Sequence, residues 1–222
     1  MKPLRLPMII TTICGASVGL ANAQPALVPP NDLQQLPATK GTVSRYTLTP
    51  RGDVDGLIMA DGTEVHFPPH LSTQLVLAIK PGDAITVRGL KALSVPLIAA
   101  IAITNDATGY TVVDSGPGAG PGAGSRGARQ AMSLQSRVQM SLHGPRGELN
   151  GAMLEDGTIV RLPPPDAQRL AALLMPGQTI VVQGDGLTTA MGRVVEVQAI
   201  GPSEAQLNFV QRPGPPPRGP RP

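Results

Sequence analysis

The chain has 222 residues, room for one or two domains, and a formal net charge of only +3. With one cysteine, no tryptophan, two tyrosines and two phenylalanines, it lacks the means for a disulfide framework or a base-stacking platform. Glycine and proline together exceed a fifth of the residues, which points to short elements separated by many turns.

The N-terminus reads as an export signal over residues 1–23. Lys2 and Arg5 form a positive start, residues 8–20 an apolar stretch, and Ala21-Asn22-Ala23 a small-x-small cleavage site. That stretch falls short of the ~20 apolar residues needed to span a bilayer, so a periplasmic or secreted location is expected. Cys14 lies inside the signal, and cleavage leaves a mature chain without thiols and with a net charge of +1. Residues 24–39 are a Pro-punctuated lead-in, expected to be extended.

The first domain is assigned to residues 40–114. Its β-branched stretch 41–48 predicts a strand closed by the turn at 49–53, and residues 56–60 and 63–67 predict a hairpin on Asp61-Gly62. Along 63–67, Val65 and Phe67 face one way, and Glu64 and His66 the other, expected to be solvent. Pro68-Pro69 ends the strand, helical spacing over 71–79 predicts a helix, and Lys80-Pro81-Gly82 stops it. Strands carrying Ile85 and Val87, and then 97–103, complete the domain.

Residues 50–89 recur without a gap at 145–184, with 16 identities in 40 positions at an offset of 95. The second domain, 133–211, therefore repeats the first, with Asp166 expected to cap its helix. A Gly/Ala/Pro linker at 115–132 joins the two, and a Pro/Arg-rich tail occupies 212–222. The domains are expected to be tethered, with variable orientation unless they dock. Each contains more acidic than basic residues: six basic against seven acidic in 38–114, and five against seven in 133–211.

The order β-β-β-α-β-β resembles the OB-fold, the oligonucleotide- and oligosaccharide-binding barrel, over about 40–112 and 135–208. The expected fold is thus mostly β: two small five-stranded OB-like barrels on a flexible linker. The closing pattern, Pro-Gly followed by an alternating strand and a terminal Gly, is also similar to short exported bacterial domains of unknown function. The OB resemblance implies a ligand face on strands two and three, rimmed by the loops between strands one and two and between strands four and five. Mapped by order, it nominates Arg51, Asp53, His66 and Lys91 in the first domain and Arg146, Glu148, Arg161 and Arg193 in the second. Pro-Arg-Gly-acidic is equally sound turn chemistry, so the duplicated Arg51/Asp53 and Arg146/Glu148 pairs need no ligand to explain them.

His66 and His70 are spaced as an H-x3-H pair, but two prolines separate them and no third ligand is spaced to complete a metal site. No nucleophile elbow, acid/base pair or phosphate loop is present, so neither an enzymatic activity nor a cofactor is expected. The expectation is a non-catalytic exported protein that binds an envelope protein or glycan. Single-stranded nucleic-acid binding, the first association of the fold, is the alternative, and a metal or small-ligand role for His66 and His70 is the third.

Overall fold

A computed structural model describes residues 33–116 and 128–211. The signal assigned to 1–23, the lead-in before residue 33, residues 117–127 of the linker and the tail at 212–222 lie outside the described residues. The rest of the lead-in is not simply extended: Leu33–Gln35 form a 3-10 turn.

Six strands and one short helix make the first unit: β1 (Ala38–Leu48), β2 (Val54–Met59), β3 (Glu64–His66), α1 (Ser72–Ala78), β4 (Ala84–Lys91), β5 (Leu97–Asn105) and β6 (Thr111–Val113). The second unit repeats them as β7 (Gln130–His143), β8 (Leu149–Leu154), β9 (Ile159–Arg161), α2 (Pro164–Arg169), β10 (Thr179–Thr189), β11 (Gly192–Gly201) and β12 (Asn208–Phe209). The pairings run β3-β2-β1-β4-β5, and a parallel β3–β5 contact closes the ring into a five-stranded barrel. The order β9-β8-β7-β10-β11 with parallel β9–β11 closes the second. This is the OB-like topology expected from the element order.

Closure depends on bends that the repeat encodes twice. The first half of β1, Ala38–Thr42, pairs with β4, and the second half, from Val43, pairs with β2. One strand serves two neighbours because its register shifts between Val43 and Arg45 and again between Thr47 and Leu48. The equivalent shifts in β7 fall between Val138 and Met140 and between Leu142 and His143, each 95 residues on. Such bulges bend a strand and increase its twist, which a small barrel requires.

Two pairs of duplicated glycines sit where strands approach most closely. A Cβ on Gly56 would lie 2.1 Å from the Val65 carbonyl oxygen, and one on Gly151 2.0 Å from that of Val160. At Gly89 and Gly184 the obstacles are the carbonyl oxygens of Ala99 and Glu196, at 2.2 and 2.1 Å. Because the neighbour is backbone in every case, no rotamer change relieves the clash.

The barrel interiors are filled by the inward residues of the alternating strands, including Leu57, Ile85 and Ile103 in the first and Leu154, Ile180 and Val195 in the second. Each helix plugs one end. Leu75 of α1 and Ile79 just after it are fully buried, and their repeat counterparts Leu170 and Leu174, after α2, are buried in the second barrel. A side-chain hydroxyl ties β1 to the end of this plug: Tyr46 donates to the Ile79 carbonyl at 2.6 Å, and Ser141 to the Leu174 carbonyl at 2.8 Å. Asp166 does not cap α2. It lies inside the first turn and accepts from Arg169 Nη2 at 2.6 Å and from the Gln211 amide at 3.1 Å, while Pro163 takes the N-cap position. Strand β7 starts at Gln130, three residues before the expected domain boundary, and the short strands β6 and β12 were not expected.

Two outcomes follow from this packing. Gly89→Ala should lower the stability of the folded chain by about 1–3 kcal/mol, as overpacking a tight site does, measured by chemical denaturation. Burial first, and the nearby Asp83 carboxylate second, raise the Tyr46 phenol above its ordinary value. A raised folded-state value gives stability that is full below the unfolded value of about 10 and is lost as pH rises through the folded one. Tyr46→Phe should therefore lose about 1 kcal/mol at neutral pH, yet be spared the alkaline loss shown by the parent chain.

Candidate functional site

The two barrels dock, and both belong to one compact unit. The contact is reciprocal. His66 Nε2, on β3, donates to the carbonyl of His143 at the end of β7, at 2.7 Å. Arg161 Nε, on β9, donates to the carbonyl of Leu48 at the end of β1, at 3.0 Å. The repeat offset of 95 carries His66 onto Arg161 and Leu48 onto His143. Each barrel thus offers the same donor position to the same acceptor position of the other, the pattern of a two-fold dimer held within one chain.

Each donor has further support. Arg161 is only 6% exposed, and its Nη2 reaches both carboxylate oxygens of Asp55, at 2.9 and 3.2 Å, while Nη1 reaches Asn150 Oδ1 at 2.8 Å. On the other side Glu64, 2% exposed, accepts the His143 amide at 2.9 Å and His143 Nδ1 at 2.7 Å. Buried charges need such saturation, since desolvation otherwise exceeds the gain from pairing. An apolar layer surrounds these bonds: Leu142, Met153, Ile159, Leu187 and Val194 of the second barrel join the core cluster of the first. The loops interlock likewise. Gly52 lies against Leu187 and Thr189, and its repeat counterpart Gly147 against Val95.

The barrels therefore meet through strand three and through the loops one-two and four-five, the parts that frame the ligand face of an OB-fold. Among the nominated residues, Arg161 does not face solvent but is buried against the first barrel. His66 is half-buried, with Nε2 used on His143. Asp53 is also turned inward, and its Oδ1 is buried with no hydrogen-bond partner among the described residues. Arg51, Lys91, Arg146 and Arg193 are exposed. Glu148 accepts the Arg146 amide at 3.0 Å, within its own turn. His66 and His70 are not joined by further ligands, and no group of three or more His, Cys, Asp or Glu side chains suited to a metal occurs among the described residues.

Two grooves open beside the contact. The first, about 430 Å³, is mainly apolar and draws on both barrels, with Phe67, Pro68, Pro69, Leu90 and Ile101 on one side and Pro145 on the other. Its polar lining comprises Asp55, Asp114, His66 and Asn150. The second, about 410 Å³, is mainly polar, with Arg45 and Tyr46 facing Asp156, Thr158, Thr188 and Arg193. Residue order nominated His66 and Arg193 but missed Asp55, Glu64, His143 and Arg45. The shared face of Glu64 and His66 was readable from strand alternation, and both residues go to His143.

No known family profile matches the chain, and no curated protein does. Among solved structures, a deletion mutant of the single-stranded DNA binding protein from Thermus aquaticus is similar at 15% identity over 81% of this chain and 96% of that one. Its TM-score of 0.22 gives the likeness no weight for fold or ligand. Among the described residues no helix is long and apolar enough to cross a membrane.

The docking rests on Arg161. Arg161→Ala should cost about 3–5 kcal/mol, because it leaves the Asp55 carboxylate and the Leu48 carbonyl without their donor. Arg51→Ala, at an exposed position, should change stability by less than about 0.5 kcal/mol in the same denaturation experiment.

Proposed function

We propose that this chain is an exported, non-catalytic binding protein whose two OB-like barrels act as one rigid body, and whose ligand is an extended, proline-bearing segment of another envelope protein. The observation that carries this reading is the apolar groove spanning both barrels. Pro68, Pro69, Leu90 and Pro145 offer the apolar surface on which a polyproline-type chain packs with little loss of entropy. The carboxylates lining it, Asp55 and Asp114, favour a basic side chain on the bound segment. Asp55 is shared with Arg161, whereas Asp114 accepts only the Gly116 amide among the described residues, which makes it the better candidate to meet that charge.

A peptide is favoured over a glycan because the groove has a single aromatic ring, Phe67, and that ring is 3% exposed. It is favoured over single-stranded nucleic acid because the barrel parts that would take up a strand are occupied by the opposite barrel. Among the described residues each barrel has one exposed aromatic ring, Tyr110 and Phe209, short of the row of stacking platforms along a positive channel that such binding uses.

Fluorescence anisotropy with a labelled (Pro-Pro-Arg)3 peptide tests the reading. Saturable binding is expected, weakened at least tenfold by Leu90→Asp and by Asp114→Lys. Binding unchanged in both variants, or absent altogether, removes the peptide reading. A single-stranded oligonucleotide that bound at low salt where the peptide did not would put nucleic acid first.

A further inference from the structure

Arg45 has chemistry that the fold does not use. It is half-buried on β1, at the edge of the polar groove, and its guanidinium makes no hydrogen bond or ion pair with any described residue. Five donors held this way, partly out of water, are unusual, since buried or half-buried polar groups are ordinarily satisfied. The group lies close against the opposite barrel: Arg45 Nη1 is 2.6 Å from where a Cβ on Gly157, in the hairpin turn Asp156-Gly157, would sit.

Arg193 lines the same groove with one long ionic contact, Nη1 to Asp156 Oδ2 at 3.7 Å. The Asp156 carboxylate is mainly committed to its own turn, where it accepts the Thr158 amide at 2.9 Å and the Thr158 hydroxyl at 2.8 Å. Two guanidiniums thus share one polar groove with their donors largely free.

Comparison with the other half of the repeat separates this feature from the scaffold. The offset of 95 places Met140 opposite Arg45, and the matching strand pairings Glu64↔Leu97 and Ile159↔Val194 place Pro96 opposite Arg193. The counterpart hairpin glycine, Gly62, has nothing packed within 4 Å of its Cβ position. The docking bonds are kept on both sides of the pseudo-two-fold, whereas the paired cations stand on one side only. The paired cations are therefore no part of the duplicated docking contacts.

We propose that the polar groove is an oxyanion site in which Arg45 and Arg193 hold a phosphate monoester. A guanidinium fork matches tetrahedral phosphate oxygens, and the two together suit a doubly charged group better than a lone carboxylate. At about 410 Å³ the groove is larger than one ion, leaving room for a polar body of sugar size against Thr188 and Thr189. This site is independent of the apolar groove and of any peptide bound there.

Isothermal titration at low ionic strength, in a phosphate-free buffer, tests the assignment with inorganic phosphate, glucose 6-phosphate and glucose. One saturable site is expected for the phosphates and none for glucose. Arg45→Gln and Arg193→Gln should each weaken binding at least tenfold without moving the thermal unfolding midpoint, and Lys91→Gln, an exposed lysine, should leave it unchanged. Absence of saturable phosphate binding, or full affinity in Arg193→Gln, overturns the proposal. An equal loss in Lys91→Gln also overturns it, since that would mean diffuse attraction rather than a site.

Discussion

Two strand-end carbonyls, those of Leu48 and His143, govern how this molecule is assembled. Each is the last acceptor of a long bent strand, and each is reached by a side chain from strand three of the opposite barrel. On one side the donor is an imidazole and on the other a guanidinium, so the two-fold relation survives in position while the chemistry diverges. The guanidinium makes the greater demand. A buried arginine is tolerated only with its donors saturated, and Asp55, Asn150 and the Leu48 carbonyl together do this.

Docking in this way determines what remains for function. A small OB-like barrel ordinarily keeps strands two and three and two loops free for a ligand. Here those loops interlock across the pseudo-two-fold, Gly52 against Leu187 and Gly147 against Val95, and the exposed concavities lie at the margins of the contact. Both grooves need both barrels: Pro145 and Asn150 help to line the apolar one, and Arg45 and Tyr46 the polar one. A chain cut into its two repeats would have neither.

The barrel itself was legible in the sequence because its determinants are local. Asp61-Gly62, Pro81-Gly82 and the duplicated Gly56 and Gly89 act within a turn or between adjacent strands, and they recur at the repeat offset. The docking was not legible, for a physical reason: its acceptors are backbone carbonyls, which carry no residue signature, and its partners are 77 to 113 residues apart. Alternation placed Glu64 and His66 on one face correctly, yet an outward face reads as solvent until the second barrel is set against it. A charged strand residue such as Arg161 reads as exposed for the same reason. Arg45 belongs to no motif, and only the missing hydrogen bonds single it out.

Docked through His66 and Arg161, the two barrels should tumble as one rigid body. Residual dipolar couplings of the backbone amides in weakly aligned solution test it most directly. A single alignment tensor should fit the amides of residues 38–113 and 130–209 together. Two distinct tensors would mean independently moving barrels, and would contradict both the docking and the grooves that depend on it.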